Sequence, residues 1–357
     1  MTSDTGVADA TASSGATIAD IAAEIGVSVP TISKVLNGRS DVAAGTRAKV
    51  EEALERHRYQ RRRARPNSGA AGLVELAFHR LPSIWSVEII RGVEEVLGPQ
   101  RASIVLSSLD SDYRPRQEWL DDVLFRRPLG VILVLSDLSA AQCKQLETRS
   151  IPFVVVDTAG EAAPGVPTVG SQNWNGGLVA TRHLLGLGHR RVAAVSGPPD
   201  LLCSRARVDG YRSAHDEAGA SVDATLIRHG DFGVADGYAI GLELLAAADR
   251  PTAVFAGSDM QALGIMRAAN ELGLRVPDDL SVVGYDDIPF ASWLWPPLTT
   301  VRQPLREMAG TAARLVLDLA KGIRPDNLRV DLATELVVRQ STARPPAIVR
   351  PASPPAS

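Results

Sequence analysis

Two sets of residues carry the types and spacing that chemistry needs. The first lies in residues 17–37, TIADIAAEIGVSVPTISKVLN, where an apolar stripe leaves Val29, Pro30, Ser33, Lys34 and Asn37 off the packing face. A lysine among small side chains on the exposed face of a helix can donate to a base edge or to a phosphate. The basic run RRRARPNSG over residues 61–69, with Arg61, Arg62, Arg63 and Arg65, fits either a solvated linker or a contact with phosphates or the narrow minor groove. The second set stands just after short apolar runs: Asp157, Ser196 with Gly197, Ser258 with Asp259, and Asp286. Side chains beyond strand ends hold small ligands in open α/β sheets, although an Asp or Ser there serves as well as a helix cap.

The elements that must position these groups follow from periodicity. Ile18, Ile21, Ala22 and Ile25 repeat at helical spacing behind a Thr17 cap, with Asp20 three places on. Gly26 ends that helix, Ser28 caps a second one with Pro30 in its first turn, and Ile32, Val35 and Leu36 face back. Residues 42–58 supply a third helix with Val50, Ala53 and Leu54 inward. This pattern alone fits an ordinary helical hairpin or a helix-turn-helix. From Gly72 the texture changes to apolar runs over residues 73–78, 103–107, 130–135, 153–156, 191–195, 252–256 and 280–283. Helical stretches over 87–97, 176–187, 208–218, 237–247 and 261–272 lie between them. Such alternation predicts an α/β fold: a three-helix N-terminal unit, then a doubly wound parallel-sheet body long enough for two lobes. The expected divisions are a tail (1–15), the helical unit (16–60), a basic hinge (61–71), the body (72–340) and a loose Pro-rich tail (341–357).

Composition narrows the function. Residues 17–65 hold ten Lys and Arg against six acids, +4, whereas the 357-residue chain is −3, so the remainder carries −7. Only the first part is suited to a polyanion. Two cysteines make no disulfide framework, and Cys203 reads as an inert thiol more readily than as a redox sensor. No apolar run approaches a membrane span, and no secretion signal stands at the start, so a cytoplasmic location is expected. Walker, G-x-S-x-G and H-E-x-x-H motifs are missing. Gly186-x-Gly188 follows a helix and has Arg191 at the third glycine position; the six histidines lack ligand spacing. Neither an enzyme nor a cofactor or metal is expected.

Taken together, TIADIAAEIGVSVPTISKVLNG, HLLGLGHRRVAAVSGP, SVVGYDD and PPLTTVRQP resemble, in order, the headpiece and body signatures of the LacI family of bacterial transcription regulators. The resemblance runs from about residue 17 to 340. It implies a homodimer that binds a near-palindromic operator in double-stranded DNA. It also implies a body like a periplasmic sugar-binding protein, closing on a small effector, often a sugar, to change how the headpieces sit on DNA. Thr17, Ser28, Thr31, Ser33 and Asn37 match the family's phosphate contacts; Val29, Pro30 and Lys34 match its base-reading positions. Arg207, Asp157, Asp286, Ser258, Gln303, Phe232 and Trp85 match positions lining the effector cleft. The hinge departs from the family, having arginines and Pro66 where many members carry a wedging Leu, which implies arginine insertion with less kinking. Trp293 and Trp295 are open between the cleft and hinge packing. Three crossings between lobes are expected near residues 157–171, 292–301 and 323–330. Without apolar heptads at the C-terminus, a dimer through the body is expected rather than a coiled-coil tetramer.

Overall fold

In the computed structural model, residues 16–36, 42–57, 72–79, 81, 83–109 and 113–347 are described. Asn37, Arg61, Arg62, Arg63 and Arg65 lie outside them.

The N-terminal unit is three helices, α1 (Ile18–Ile25), α2 (Val29–Leu36) and α3 (Ala44–Arg56). Thr17 and Asp20 form a reciprocal capping box at the start of α1. Gly26 closes the helix at φ +69°, a left-handed conformation that costs a residue with a Cβ. Ile21, Ala22, Ile32, Val35, Leu36, Val50, Ala53 and Leu54 make one small core, with Ile18 and Ile25 of the predicted stripe half-buried against it.

The body begins with β1 (Leu73–Phe78), α4 (Ile84–Leu97), β2 (Ser103–Ser108), α5 (Gln117–Arg126), β3 (Gly130–Val134), α6 (Ala140–Thr148), β4 (Phe153–Val156) and β5 (Thr168–Ser171). It continues with α7 (Asn173–Gly186), β6 (Val192–Ser196), α8 (Leu202–Glu217), β7 (Ile227–His229), α9 (Val234–Ala246), β8 (Ala253–Ala256), α10 (Asp259–Glu271), β9 (Ser281–Asp286) and β10 (Thr299–Arg302). The last elements are α11 (Leu305–Ala320), β11 (Arg329–Leu332) and β12 (Glu335–Val337).

Two six-stranded sheets result, ordered β2-β1-β3-β4-β5-β11 and β7-β6-β8-β9-β10-β12. Each is the same doubly wound order with one strand added late; β11 pairs parallel with β5, and β12 antiparallel with β10. β3, β4, β6 and β8 are buried throughout, as strands covered on both faces must be. The first lobe's core joins the sheet to α4 and to Leu305, Met308, Ala309, Ala312, Ala313 and Val316 of α11, so the lobe is completed by chain that returns to it. The second lobe buries residues of α9 and α10 in one apolar cluster and residues of α7 and α8 in another.

All three crossings come later than the sequence expectation. The chain adds β5 to the first sheet before leaving at Gln172, adds β10 to the second before leaving at Gln303, and adds β11 to the first before β12 begins in the second. The reason is composition: TVGS, TTVR and RVDL are short and half polar, so they lack the apolar run that marks a central strand. The crossings are laced together. The Gln172 amide donates to the Leu332 carbonyl at 2.9 Å. Ser171 Oγ donates to Gln303 Oε1 at 2.7 Å, and Thr334 Oγ1 donates to the Gln172 carbonyl at 3.3 Å.

The chain just past Gln340 is not loose. Ser341 is fully buried; its Oγ donates to the Val282 carbonyl at 2.6 Å and accepts from the Thr299 amide at 2.8 Å. His189 Nε2 lies 2.9 Å from the Ala343 carbonyl. Trp293 and Trp295 reach neither cleft nor hinge packing; they are 87% and 92% exposed.

Candidate functional site: a helix-turn-helix face and an interlobe cleft

On the N-terminal unit, burial of Ile32, Val35 and Leu36 turns Ser28, Val29, Pro30 and Lys34 outward, with Thr31 and Ser33 half-buried beside them. Ser28 Oγ and Thr31 Oγ1 lie 2.8 Å apart, and the Thr31 amide donates to Ser28 Oγ at 3.3 Å, so this serine does cap the helix. Thr17 is exposed, but its hydroxyl donates to Asp20 Oδ2 at 2.6 Å, so that proton is already used within the cap. Lys34 is the one cation among the outward residues of α2, and Val29 and Pro30 beside it offer only apolar surface.

In the body, the strand ends of the two lobes face one cavity of about 260 Å³. The first lobe contributes Phe78 at the end of β1 and His79 just after it, Leu135 after β3 and Asp157 after β4, with Trp85 from α4. The second contributes Ser258 after β8 and Asp286 at the end of β9, with Arg207 from α8 and Phe232 from the loop before α9. Ligands sit at such ends because neighbouring strands part where the winding reverses, between β1 and β3 in one sheet and β6 and β8 in the other.

Arg207 organises the site. Leu202–Glu217 is a helix rather than the loop its polar start suggests, and it carries Cys203 and Arg207 on one face, one turn apart. Arg207 is 4% exposed. Its Nε donates to Asn173 Oδ1 at 2.9 Å, and its Nη1 to the Gly257 carbonyl at 2.5 Å. The guanidinium carbon lies 3.7 Å from the centroid of the Tyr285 ring and 5.5 Å from that of Phe232. Burial disfavours its charge, but Tyr285, Cys203, Asp286 and Asp157 around it hold its pKa above the ordinary value.

Two buried carboxylates face this cation from opposite lobes. Burial pushes Asp157 up to about 6; Arg207 works against that shift and Asp331 adds to it. Burial likewise pushes Asp286 up to about 7, opposed by Arg207 and by a hydrogen bond from Gln303. Gln303 Nε2 donates to Asp286 Oδ1 at 2.6 Å while its Oε1 accepts from Ser171. Gln303 is therefore not a lining residue among those described; it stands behind Asp286 and ties it to the first crossing.

Ser258 differs from its expected part too. Its Oγ donates to the Phe232 carbonyl at 2.8 Å and accepts from the Gln261 amide at 3.0 Å. It caps α10 and clamps Phe232, which sits at φ +60° and is held there by that bond. Six of the seven residues assigned to the cleft thus line one cavity: Trp85, Asp157, Arg207, Phe232, Ser258 and Asp286. Sequence reasoning missed Asn173, Gly257 and Tyr285, which hold Arg207. Strand alternation offered one signal, because Tyr285 and Asp286 must point to opposite sides of β9.

A headpiece of this build ahead of a hinged two-lobed receptor is the architecture of a ligand-responsive DNA-binding regulator. The chain belongs to the lacI family of bacterial regulatory proteins, whose headpiece pattern matches residues 17–62. A periplasmic binding protein-like domain matches residues 181–342. The HTH-type transcriptional repressor PurR of Erwinia tasmaniensis is 33% identical over 339 residues, covering 93% of this chain and 98% of that protein. Among solved structures, a complex of the transcriptional regulator CelR with cellobiose is 33% identical, with a TM-score of 0.68 over 91% of this chain and 99% of that one. The lac repressor dimer bound to operator and the anti-inducer ONPF is 28% identical, with a TM-score of 0.68 over 92% of this chain and 100% of that one.

Proposed function

We propose that this chain is a cytoplasmic repressor that binds a near-palindromic operator as a homodimer and adjusts its grip to a small neutral effector, a sugar, held between the lobes. The observation that carries the effector reading is the pairing of one buried guanidinium with carboxylates from opposite lobes, Asp157 and Asp286, in a cavity that the aromatic side chains of Trp85 and Phe232 also line. Carboxylates and an arginine take adjacent hydroxyls, and aromatic faces cover the C–H side of a ring. A phosphorylated effector suits the site poorly, because Arg207 is balanced by Asp157, Asp231 and Asp286. The relative solved with cellobiose supports the sugar class.

The DNA half of the reading rests on α2. Val29, Pro30 and Lys34 meet base edges, Ser28, Thr31, Ser33 and Asn37 meet phosphates, Thr17 serves as the cap of α1, and Arg61, Arg62, Arg63 and Arg65 follow the duplex between half-sites. The signal begins where ligand touches Asp286, since Gln303 joins that carboxylate to Ser171 at the crossings.

The test is a selection of random duplexes by the full-length protein, followed by binding at several salt concentrations. The expected product is a two-fold symmetric sequence whose affinity falls steeply with salt. Recovery of no preferred sequence overturns the repressor reading.

A further inference from the structure

A second cavity, of about 940 Å³, lies beside the cleft and has no part in the reading above. It is bounded by the β4–β5 loop, the start of α7, the first turn of α8 and β11. Two side chains, Asp157 and Cys203, line both cavities.

We propose that the two cavities are consecutive subsites of one groove, so that the effector is a neutral oligosaccharide of at least two units, the second lying against Trp174. This rests on the sugar reading of the cleft and extends it.

Size is the first argument. The cleft's 260 Å³ falls below the roughly 300–1,000 Å³ typical of pockets for larger ligands, so it suits one ring. The neighbouring space, about 940 Å³, is large enough for the next unit. Chemistry is the second. Gln172, Asn175 and Thr158 offer neutral donors and acceptors, and Trp174 keeps 46% of its surface exposed at the edge of the cavity, a flat apolar plate. Charge is the third. Asp157, Glu161 and Asp331 outnumber Arg329, which already pairs with Asp331 at 2.8 Å, so an anionic unit is disfavoured.

The junction itself is the fourth argument. Asp157 is a non-glycine residue at φ +48°, a conformation kept only where the surroundings impose it. It places a carboxylate on the wall common to both spaces, where its two oxygens can serve hydroxyls of successive units. Cys203, a small buried side chain, is the other member of that wall.

The experiment is calorimetric titration of the full-length protein with glucose, cellobiose, maltose, xylose and xylobiose. At least one disaccharide should bind about tenfold or more tightly than its own monosaccharide, the equivalent of ~1.4 kcal/mol. Trp174→Ala and, separately, Asn175→Ala should reduce that advantage and leave the monosaccharide affinity unchanged. Disaccharides no tighter than their monosaccharides, or an advantage that survives both substitutions, overturn the second subsite and leave the one-ring cleft standing. If none of the five sugars binds, the sugar reading falls and the subsite with it, while the operator reading is judged by its own selection.

Discussion

Arg207 lies on the face of Tyr285, its guanidinium carbon 3.7 Å from the ring centroid, with both residues buried. A charge so far from water needs this support, because its remaining fixed partners are one amide oxygen of Asn173 and the Gly257 carbonyl. The ring therefore determines where the cleft's main cation points.

Substitution at Tyr285 separates the ring from its hydroxyl. The hydroxyl reaches Asn173 Oδ1 only at 3.4 Å, so Tyr285→Phe should cost less than about 1 kcal/mol. Tyr285→Leu removes the face beneath the guanidinium and should cost ~2 kcal/mol or more, from the lost cation–π contact and the altered packing together. Urea unfolding of the three proteins reads both values. Equal losses for Phe and Leu would show that the hydroxyl, not the ring face, is what matters.

The cleft carboxylates make stability depend on pH in a definite direction. Asp157 and Asp286 have folded-state values of about 6 and about 7, above the ordinary 3.8. The native state therefore binds more protons than the unfolded chain between pH ~4 and ~7. Their contribution is fully present below the unfolded value and is lost as pH rises through the folded ones. Asp157→Asn and Asp286→Asn, which remove the buried charge, should flatten the fall in urea midpoint between pH 5 and 7.5. A slope unchanged in the double variant would place its origin elsewhere.

On the DNA side, Lys34 is the outward cation of α2. Lys34→Ala should cost about 1–3 kcal/mol on operator and relax the preference at one base step, while random duplex loses less. Competition binding with single-base operator variants shows which step. A loss equal on operator and random DNA would make Lys34 a phosphate contact.

How far the sequence could be read depended on whether a feature repeats. The stripe of Ile21, Ala22, Ile32, Val35 and Leu36 predicts the headpiece core because a helix must bury its apolar face whatever surrounds it. β1 and β4 were legible to the residue, being apolar runs of central strands. α11 was not, although its Met308, Ala312 and Val316 fill the first lobe: alternating strands imply helices beside them in the same lobe, and this one follows β10 of the other lobe. The site divides in the same way. Arg207 and Asp286 stand in recognisable motifs, but Gln303 looks like a lining residue until its hydrogen bonds place it behind Asp286, and Ser258, though it lines the cavity, commits its hydroxyl to Phe232. Such roles depend on partners 17 and 26 positions away, which no local pattern encodes.

The placement of Arg207 also depends on the pairing of α7 with α8. A Cβ on Gly177 would stand 2.1 Å from the Arg207 carbonyl oxygen, and one on Gly210 would stand 2.1 Å from the Trp174 carbonyl oxygen. Both obstacles are backbone, so no rotamer change relieves them. Helix propensity alone would favour Gly177→Ala by ~1 kcal/mol. Overpacking of this kind costs ~1–3 kcal/mol, and the helices must separate to admit the methyl group, so the sign reverses. Because Arg207 lies on the displaced helix while Asn173 begins the other, separation also lengthens the 2.9 Å bond between them. Gly177→Ala should therefore lower both the urea midpoint and the affinity for whichever sugar the titrations identify. Ala180→Ser, on the same helix but buried in the second lobe's core, should lower the midpoint with little change in affinity. Equal affinity losses in the two variants would mean that general destabilisation, rather than the position of α8, sets the grip on ligand.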